Sequence, residues 1–146
     1  MLKIKSYVKV NSIEEAYELN QKKTAIVLGG MVWLKMGNRN ISTAIDLSGL
    51  GLAGIQETDE EFVIGCMTTL RELETDKRLN EYTQGAVRES VRHIVGVQFR
   101  NCATVGGSIW GRYGFSDVLT MFLGMDTWVE LHNAGKIPLT EFVDRK

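Results

Sequence analysis

Two adjacent glycines between hydroxyl side chains form the segment of the sequence best suited to hold a ligand. Gly106 and Gly107 follow Thr104 and precede Ser108, within the stretch 100–110. Residues without Cβ let the backbone approach a ligand closely and present its N–H groups, and the flanking hydroxyls add adjustable donors. The segment favours a phosphate or the polar edge of a ring, and the alternative interpretation is a tight turn or bulge between strands.

A second glycine pair follows a short apolar run. Residues 24–28 read Thr-Ala-Ile-Val-Leu and end at Gly29 and Gly30. A buried strand that runs into two glycines leaves free backbone N–H groups at its carboxyl end, where anions are commonly bound. Brought together, the two glycine pairs could hold both phosphates of a dinucleotide.

The remaining polar residues offer no catalytic or metal-binding set. Cys66 and Cys102 are far apart and lack a CxxC partner, so they cannot build an iron–sulfur or structural zinc site. We expect both to be small buried hydrophobic residues rather than a disulfide. His93 and His132 have no carboxylate or cysteine at ligand spacing, and we expect them at the surface. No catalytic residue is predicted.

Length and charge narrow the class of protein. The 146 residues suffice for one domain with a sizeable core. Lys and Arg total 17 against 18 Asp and Glu, for a net charge of -1, which disfavours binding to nucleic acid or to an anionic membrane. The N-terminus has no apolar signal region, and no span approaches twenty apolar residues, so we expect a cytoplasmic protein.

The sequence of the first part of the chain predicts a βαβ unit. Strands are expected near residues 4–8 and 25–28, with a further strand-like segment at 45–47. Ser12 followed by Glu15 is a capping box that should open a helix between the first two strands. These elements would place Gly29 at the carboxyl end of the second strand.

The second part predicts helices and antiparallel strands. Glycines cluster before residue 55, where we place a boundary between subdomains 1–55 and 56–146. Thr69 should cap a helix, another is expected from residue 86, and a third should begin at Ser116. Residues 127–139 read as two strands around a hairpin turn. The fold class is α+β, a βαβ unit followed by a mostly antiparallel sheet with flanking helices.

The order of these motifs resembles the FAD-binding domain of molybdopterin dehydrogenase flavin subunits, the medium subunits of xanthine dehydrogenase-type and carbon monoxide dehydrogenase-type hydroxylases. The matching segments are 25–30, 45–47, 64–70, 98–109 and 116–123. Nearly the whole chain is covered, and Arg-Asn-x-Ala-Thr-Val-Gly-Gly is the specific part. The resemblance implies a PCMH-type fold of two subdomains with FAD between them.

The resemblance also implies a set of FAD contacts. The expected residues are Leu28, Gly29, Gly30, Met31, Val32, Trp33, Thr104, Gly106, Gly107, Ser108 and Asp117. In the family the first glycine loop wraps the pyrophosphate, and here Met31 replaces a threonine and Trp33 stands where a polar side chain is usual. Trp33 is expected to pack, with stacking on adenine as the alternative, and Lys35 could offset phosphate charge.

The second family motif assigns three further roles by resemblance. Ser108 stands where asparagine is common. Asp117 corresponds to an acid that contacts a FAD hydroxyl, although an acid in the first turn of a helix is favourable in any case. Arg100 and Asn101 should buttress the glycine segment rather than take part in chemistry.

The function implied by the resemblance is that of an FAD-binding electron-transfer subunit, or a fragment of one, in a molybdenum hydroxylase-type oxidoreductase. Its partners would be a molybdopterin-binding subunit and a 2Fe-2S subunit, with NAD as one acceptor, and self-association of the isolated chain is left open. Flavin subunits usually continue past the position of Phe142 into a separate C-terminal domain, which this sequence lacks. The alternatives are a flavin-free assembly module and a stand-alone flavin reductase.

Overall fold

A computed structural model describes residues 1–145 as an α+β fold, which confirms the predicted fold class. The strands are β1 (Lys3–Lys9), β2 (Ala25–Leu28), β3 (Asn40–Asp46), β4 (Ile55–Glu57), β5 (Phe62–Ile64), β6 (Trp128–Leu131) and β7 (Gly135–Pro138). The helices are α1 (Ile13–Asn20), α2 (Leu70–Thr75), α3 (Lys77–Tyr82), α4 (Ala86–Val91), α5 (Val97–Arg100), α6 (Val105–Trp110), α7 (Asp117–Leu123) and α8 (Leu139–Asp144). A 3-10 turn spans Leu34–Met36.

The N-terminal part is a three-stranded parallel sheet in the order β1-β3-β2. The central strand β3 pairs with both neighbours, and its residues Ala44 and Ile45 are fully buried. The last pair on the β2 side joins Leu28 to Asp46, so both strands end at the same level. The loop after β2 therefore leaves from the carboxyl edge of a parallel sheet, the edge where ligands of open α/β sheets bind.

The predicted cap of α1 is present with one difference in detail. Ser12 Oγ accepts a hydrogen bond from Glu15 N at 3.1 Å. The Glu15 carboxylate accepts from Asn11 N at 2.8 Å, one residue earlier than a capping box requires. The helix then buries Ala16 on the sheet, in a small cluster with Val10 and Ile45.

The C-terminal part has a larger core built mainly by helices. Its buried members are Leu70, Leu73, Leu79, Val87, Val91, Ala103, Val105, Val118, Leu119, Phe122, Ile137, Leu139 and Phe142. The antiparallel strands form two separate hairpins, β4-β5 and β6-β7, rather than one continuous sheet. These strands are three or four residues long, so the helices supply most of the buried surface.

The helix caps expected in this part are also present. Thr69 and Glu72 form a complete capping box at α2, and Ser116 Oγ accepts from Leu119 N at 3.2 Å at the start of α7. The two hydrophobic clusters share no residue, which is compatible with a boundary near residue 55, although that boundary stays a prediction. No helix within residues 1–145 has the length and apolar character needed to cross a membrane.

Candidate functional site

The loop after β2 presents a row of backbone donors. Gly29 and Gly30 follow the strand, and the next residue, Met31, has a φ of 59°, which lies in the left-handed region. Among residues 1–145, the backbone N–H groups from Gly29 to Trp33 have no protein acceptor within hydrogen-bonding distance. Successive N–H groups around a left-handed residue form a concave anion-binding site. This loop can therefore hold a phosphate through its main chain, with no side-chain donor at position 31.

The second glycine pair lies in direct contact with the first. A Cβ placed on Gly29 would lie 2.8 Å from Thr104 Oγ1 and 3.8 Å from the Cα of Gly107. A Cβ on Gly30 would lie 1.7 Å from the carbonyl oxygen of Cys102, which no side chain could tolerate. The close approach that the paired glycines suggest is thus first of all an approach of one backbone to the other.

The second glycine segment differs from the expected open turn. Residues Val105–Trp110 form the short helix α6, capped by Thr104. Its first N–H groups are already used, since Val105 N donates to Thr68 O, Gly106 N to Cys66 O and Gly107 N to Thr104 Oγ1, at 2.9, 2.8 and 3.2 Å. The expectation that this pair offers free backbone donors is therefore wrong.

Packing explains why two glycines occur inside a helix. A Cβ on Gly106 would lie 2.6 Å from Cys66 O and 2.8 Å from Cys66 Cβ. Close contact with the segment before α2 outweighs the poor helix propensity of glycine. Ser108 Oγ donates to Thr104 O at 2.9 Å, so its hydroxyl proton is also engaged within the protein.

Arg100, the last residue of α5, is a buried cation close in sequence to the second glycine segment. Its side chain is buried and donates to Glu74 from Nε at 2.8 Å and from Nη2 at 3.2 Å, and to Ile94 O at 3.1 Å. The hydrogen bond from Arg100, together with a second ion pair from Arg71, holds the pKa of Glu74 below its ordinary value. Arg100 thus joins α5 to α2, and its expected role as a buttress of the glycine segment stays a prediction.

Trp33 lies beside the glycine contact and does not fill it. The nearest neighbours of Gly29 and Gly30 are backbone atoms and the Thr104 hydroxyl. The Trp33 ring instead packs against Phe115 and Tyr113, with centroid distances of 6.0 and 6.3 Å. Sequence reasoning missed these two aromatic residues, although both occur in the loop that leads to Asp117.

The remaining predicted positions take ordinary places in the fold. Asp117 is exposed and is the first residue of α7, where the helix dipole favours an acid. Cys66 and Cys102 are free and exposed, so the expectation of two buried cysteines is wrong. Their main-chain carbonyls, rather than their sulfur atoms, face the glycines. Within residues 1–145 there is no cluster of three metal-ligating side chains.

Two surface depressions, of about 290 and 280 Å³, lie away from this region. The first is lined by Ile55 and by residues of α2, and the second by residues from Lys77 to Arg88. The candidate site is therefore the open surface formed by the loop 29–33, the start of α6 and the neighbouring aromatic rings.

The family is shown by a match that covers nearly all of the sequence. The sequence model described as the FAD binding domain in molybdopterin dehydrogenase matches residues 2–146, so the chain belongs to this family. FAD is accordingly the cofactor of this domain. The predicted resemblance is confirmed.

Similar proteins have been characterised in bacteria. The alpha subunit of the 6-hydroxypseudooxynicotine dehydrogenase complex from Paenarthrobacter nicotinovorans is 28% identical over 147 residues, covering 94% of this chain and 49% of that protein. The chain is also similar to carbon monoxide dehydrogenase from Hydrogenophaga pseudoflava, with 25% identity and a TM-score of 0.78 over 94% of this chain and 51% of that one.

A further structure supports the fold alone. Reconstituted CO dehydrogenase from Oligotropha carboxidovorans gives a TM-score of 0.82 at 23% identity, over 94% of this chain and 51% of that one. The chain thus spans about half the length of the proteins it matches.

Proposed function

We propose that this chain is the FAD-carrying part of a molybdenum hydroxylase-type oxidoreductase and that it holds the FAD pyrophosphate on the loop after β2. The observation that carries the proposal is the row of unpartnered N–H groups from Gly29 to Trp33, at the carboxyl edge of a parallel sheet. Main-chain donors bind a diphosphate without regard to side chains, so Met31 and Val32 leave the binding surface intact.

The start of α6 contributes in a second way. Its own N–H groups are used internally, so it acts as a rigid floor under the loop rather than as a second set of donors. Thr104 Oγ1 lies against Gly29 and accepts from Gly107 N, and this fixes the position of the loop. In this proposal Gly106, Gly107 and Ser108 support the site through packing, while Leu28 anchors the loop to the sheet.

When bound, FAD supplies the redox chemistry, and the protein supplies binding and orientation. This division suits a chain in which we predict no catalytic residue. By family membership we propose a molybdopterin-binding subunit and a 2Fe-2S subunit as partners, with NAD as one candidate acceptor. Asp117, exposed at the start of α7, is a candidate partner for a FAD hydroxyl.

Reconstitution tests this function directly. The purified chain is mixed with FAD and desalted, and the bound flavin is measured by its visible absorbance. We expect one flavin per chain. Protein that leaves the column without flavin at saturating FAD, while its circular dichroism remains that of a folded protein, would contradict the proposal.

A flavin-free assembly module is the second candidate. It is favoured by the apolar side chains at positions 31 to 33 and by the internal use of the α6 donors. This candidate predicts that the folded chain copurifies with the other subunits of a hydroxylase but contains no flavin.

A further inference from the structure

Three aromatic side chains form an exposed cluster next to the row of donors. Trp33, Tyr113 and Phe115 are 56%, 46% and 67% exposed, and we call them the aromatic triad. The rings of Tyr113 and Phe115 lie 5.1 Å apart and nearly parallel, at 16°, and Trp33 contacts both at a tilt. Large aromatic residues are usually buried, so a cluster of three that are each about half exposed indicates a binding surface.

The triad is held in place by the same two segments that form the candidate pyrophosphate site. Trp33 belongs to the row of unpartnered N–H groups, while Tyr113 and Phe115 follow α6. The Tyr113 ring lies against Gly111, where an added Cβ would lie 2.8 Å from Cε2. The rings are therefore positioned before any ligand arrives, which lowers the entropy lost on binding.

We propose that the aromatic triad is a stacking platform for a flat heteroaromatic ring of the bound dinucleotide. The inference rests on the proposed function, because a FAD diphosphate held on residues 29–33 would place either its adenosine end or its flavin end next to Trp33. Offset stacking on aromatic faces is favourable and needs no hydrogen-bond partner. The adenine and the isoalloxazine share this chemistry, and the test separates them.

Affinity measurements on ring-deletion variants test the platform. Trp33→Ala and Phe115→Ala should each raise the FAD dissociation constant about tenfold, whereas Trp33→Phe should raise it less than about threefold. Tyr82→Ala is the matched control, because Tyr82 is 75% exposed and packs on Phe62 in another region. This control should bind FAD as tightly as the unmodified chain.

Fluorescence reports the contact itself. The chain has three tryptophans, and the double substitution Trp110→Phe with Trp128→Phe leaves Trp33 as the only source of tryptophan fluorescence. Binding of FAD should quench the emission of Trp33. Titrations with ADP and with FMN then show which ring is stacked, because only the ligand that carries this ring should bind more weakly to Trp33→Ala than to the unmodified chain.

The outcomes separate this inference from the proposed function. The stacking platform is overturned if the unmodified chain binds FAD without quenching of Trp33, and if Trp33→Ala and Phe115→Ala bind FAD as tightly as the unmodified chain does. The proposed pyrophosphate site would stand in that case. If the folded, unmodified chain binds no FAD, both are overturned.

Discussion

At the scale of single residues, the site depends on two glycines, which have no side chain to keep the backbones apart. Gly29 and Gly30 allow two backbones to touch, and Met31 then takes a left-handed conformation that is costly for any residue except glycine, asparagine or aspartate. Backbone strain of this kind persists only where surrounding contacts impose it, and it concentrates at binding sites. Met31 is one of five non-glycine residues with a positive φ in the described part of the chain, and it lies within the row of free N–H groups.

Gly30→Ala should be among the most damaging single substitutions. The new Cβ would lie 1.7 Å from Cys102 O and 2.4 Å from its carbonyl carbon, and both atoms belong to backbone that cannot move alone. We expect a loss of about 3 kcal/mol or more of unfolding free energy, measured by urea denaturation.

Gly37→Ala is the matched control for this prediction. It lies on the same loop, and its added Cβ would be 3.4 Å from the nearest atom. The unfolding free energy should change by less than about 0.5 kcal/mol. Equal urea midpoints for the two variants would show that the glycine contact is absent in solution.

Some residue-level features could be predicted from the sequence because their causes are local. Ser12, Thr69 and Ser116 each accept a hydrogen bond from a backbone N–H three residues later, and this depends only on the residues in that stretch. The left-handed φ of Met31 was not predictable, because methionine has no local preference for that conformation. The exposure of Cys66 and Cys102 was not predictable either.

At the scale of elements, the start of α6 differs from the turn that its two glycines predict. Two consecutive glycines predict a turn, yet the segment is helical, because Gly106 must pack on Cys66 and Thr104 caps the first turn. Tertiary contacts override local propensity at this point. The family motif located the segment correctly, but the expectation that its backbone N–H groups are free to bind a ligand was wrong.

The α6 cap can be tested with one substitution that removes the Thr104 oxygen and one that keeps it. Thr104→Val keeps the volume of the side chain but leaves Gly107 N without its acceptor, and we expect a loss of about 1–2 kcal/mol in unfolding free energy. Thr104→Ser keeps the oxygen and should preserve the cap, at the cost of one buried methyl group, about 0.8 kcal/mol. Thermal unfolding by circular dichroism compares them. A valine variant more stable than the serine variant would contradict the role of the cap.

The ion pair between α5 and α2 predicts a pH dependence of stability. Because Arg100 and Arg71 lower the pKa of Glu74 from its ordinary value of 4.5, the carboxylate stabilises the folded state above that pH. This contribution is lost as the pH falls through the lowered pKa of the folded state. Glu74→Gln should therefore cost about 1–2 kcal/mol at neutral pH, discounted for the partial exposure of the carboxylate.

The measurement is the difference in unfolding free energy between the unmodified chain and Glu74→Gln across acidic and neutral pH. The difference should shrink as the pH falls through the lowered pKa of Glu74 in the folded state, since the protonated glutamate resembles glutamine. Glu89→Gln is the control, because its ion pairs with Arg88 and Arg92 are solvent-exposed. A constant difference across this range would contradict the assigned cause of the shift.

At the scale of the whole molecule, the N-terminal part contacts the C-terminal part through the loop after β2 and through helix α1. The contacts join Gly29 and Gly30 to residues 102–107, Trp33 to the aromatic loop, and Tyr17 to His132 at 5.2 Å between ring centroids. A dinucleotide bound along residues 29–33 would lie at this junction. Its binding should therefore stabilise both parts together.

The overall α+β class was predictable from the sequence because periodicity and caps are local signals. The division of the antiparallel strands into two hairpins was not, since it depends on which helices cover them. The family motifs located the two glycine segments, but which of them has free N–H donors depends on contacts between segments distant in the sequence.

The most direct test of the account is amide hydrogen exchange of residues 29–33 with and without FAD. If their N–H groups bind the pyrophosphate, exchange in this segment should slow about tenfold or more at saturating FAD, while the turn at 133–135 stays unchanged. Bound flavin with unchanged exchange at residues 29–33 would contradict the account, because the cofactor would then be held elsewhere.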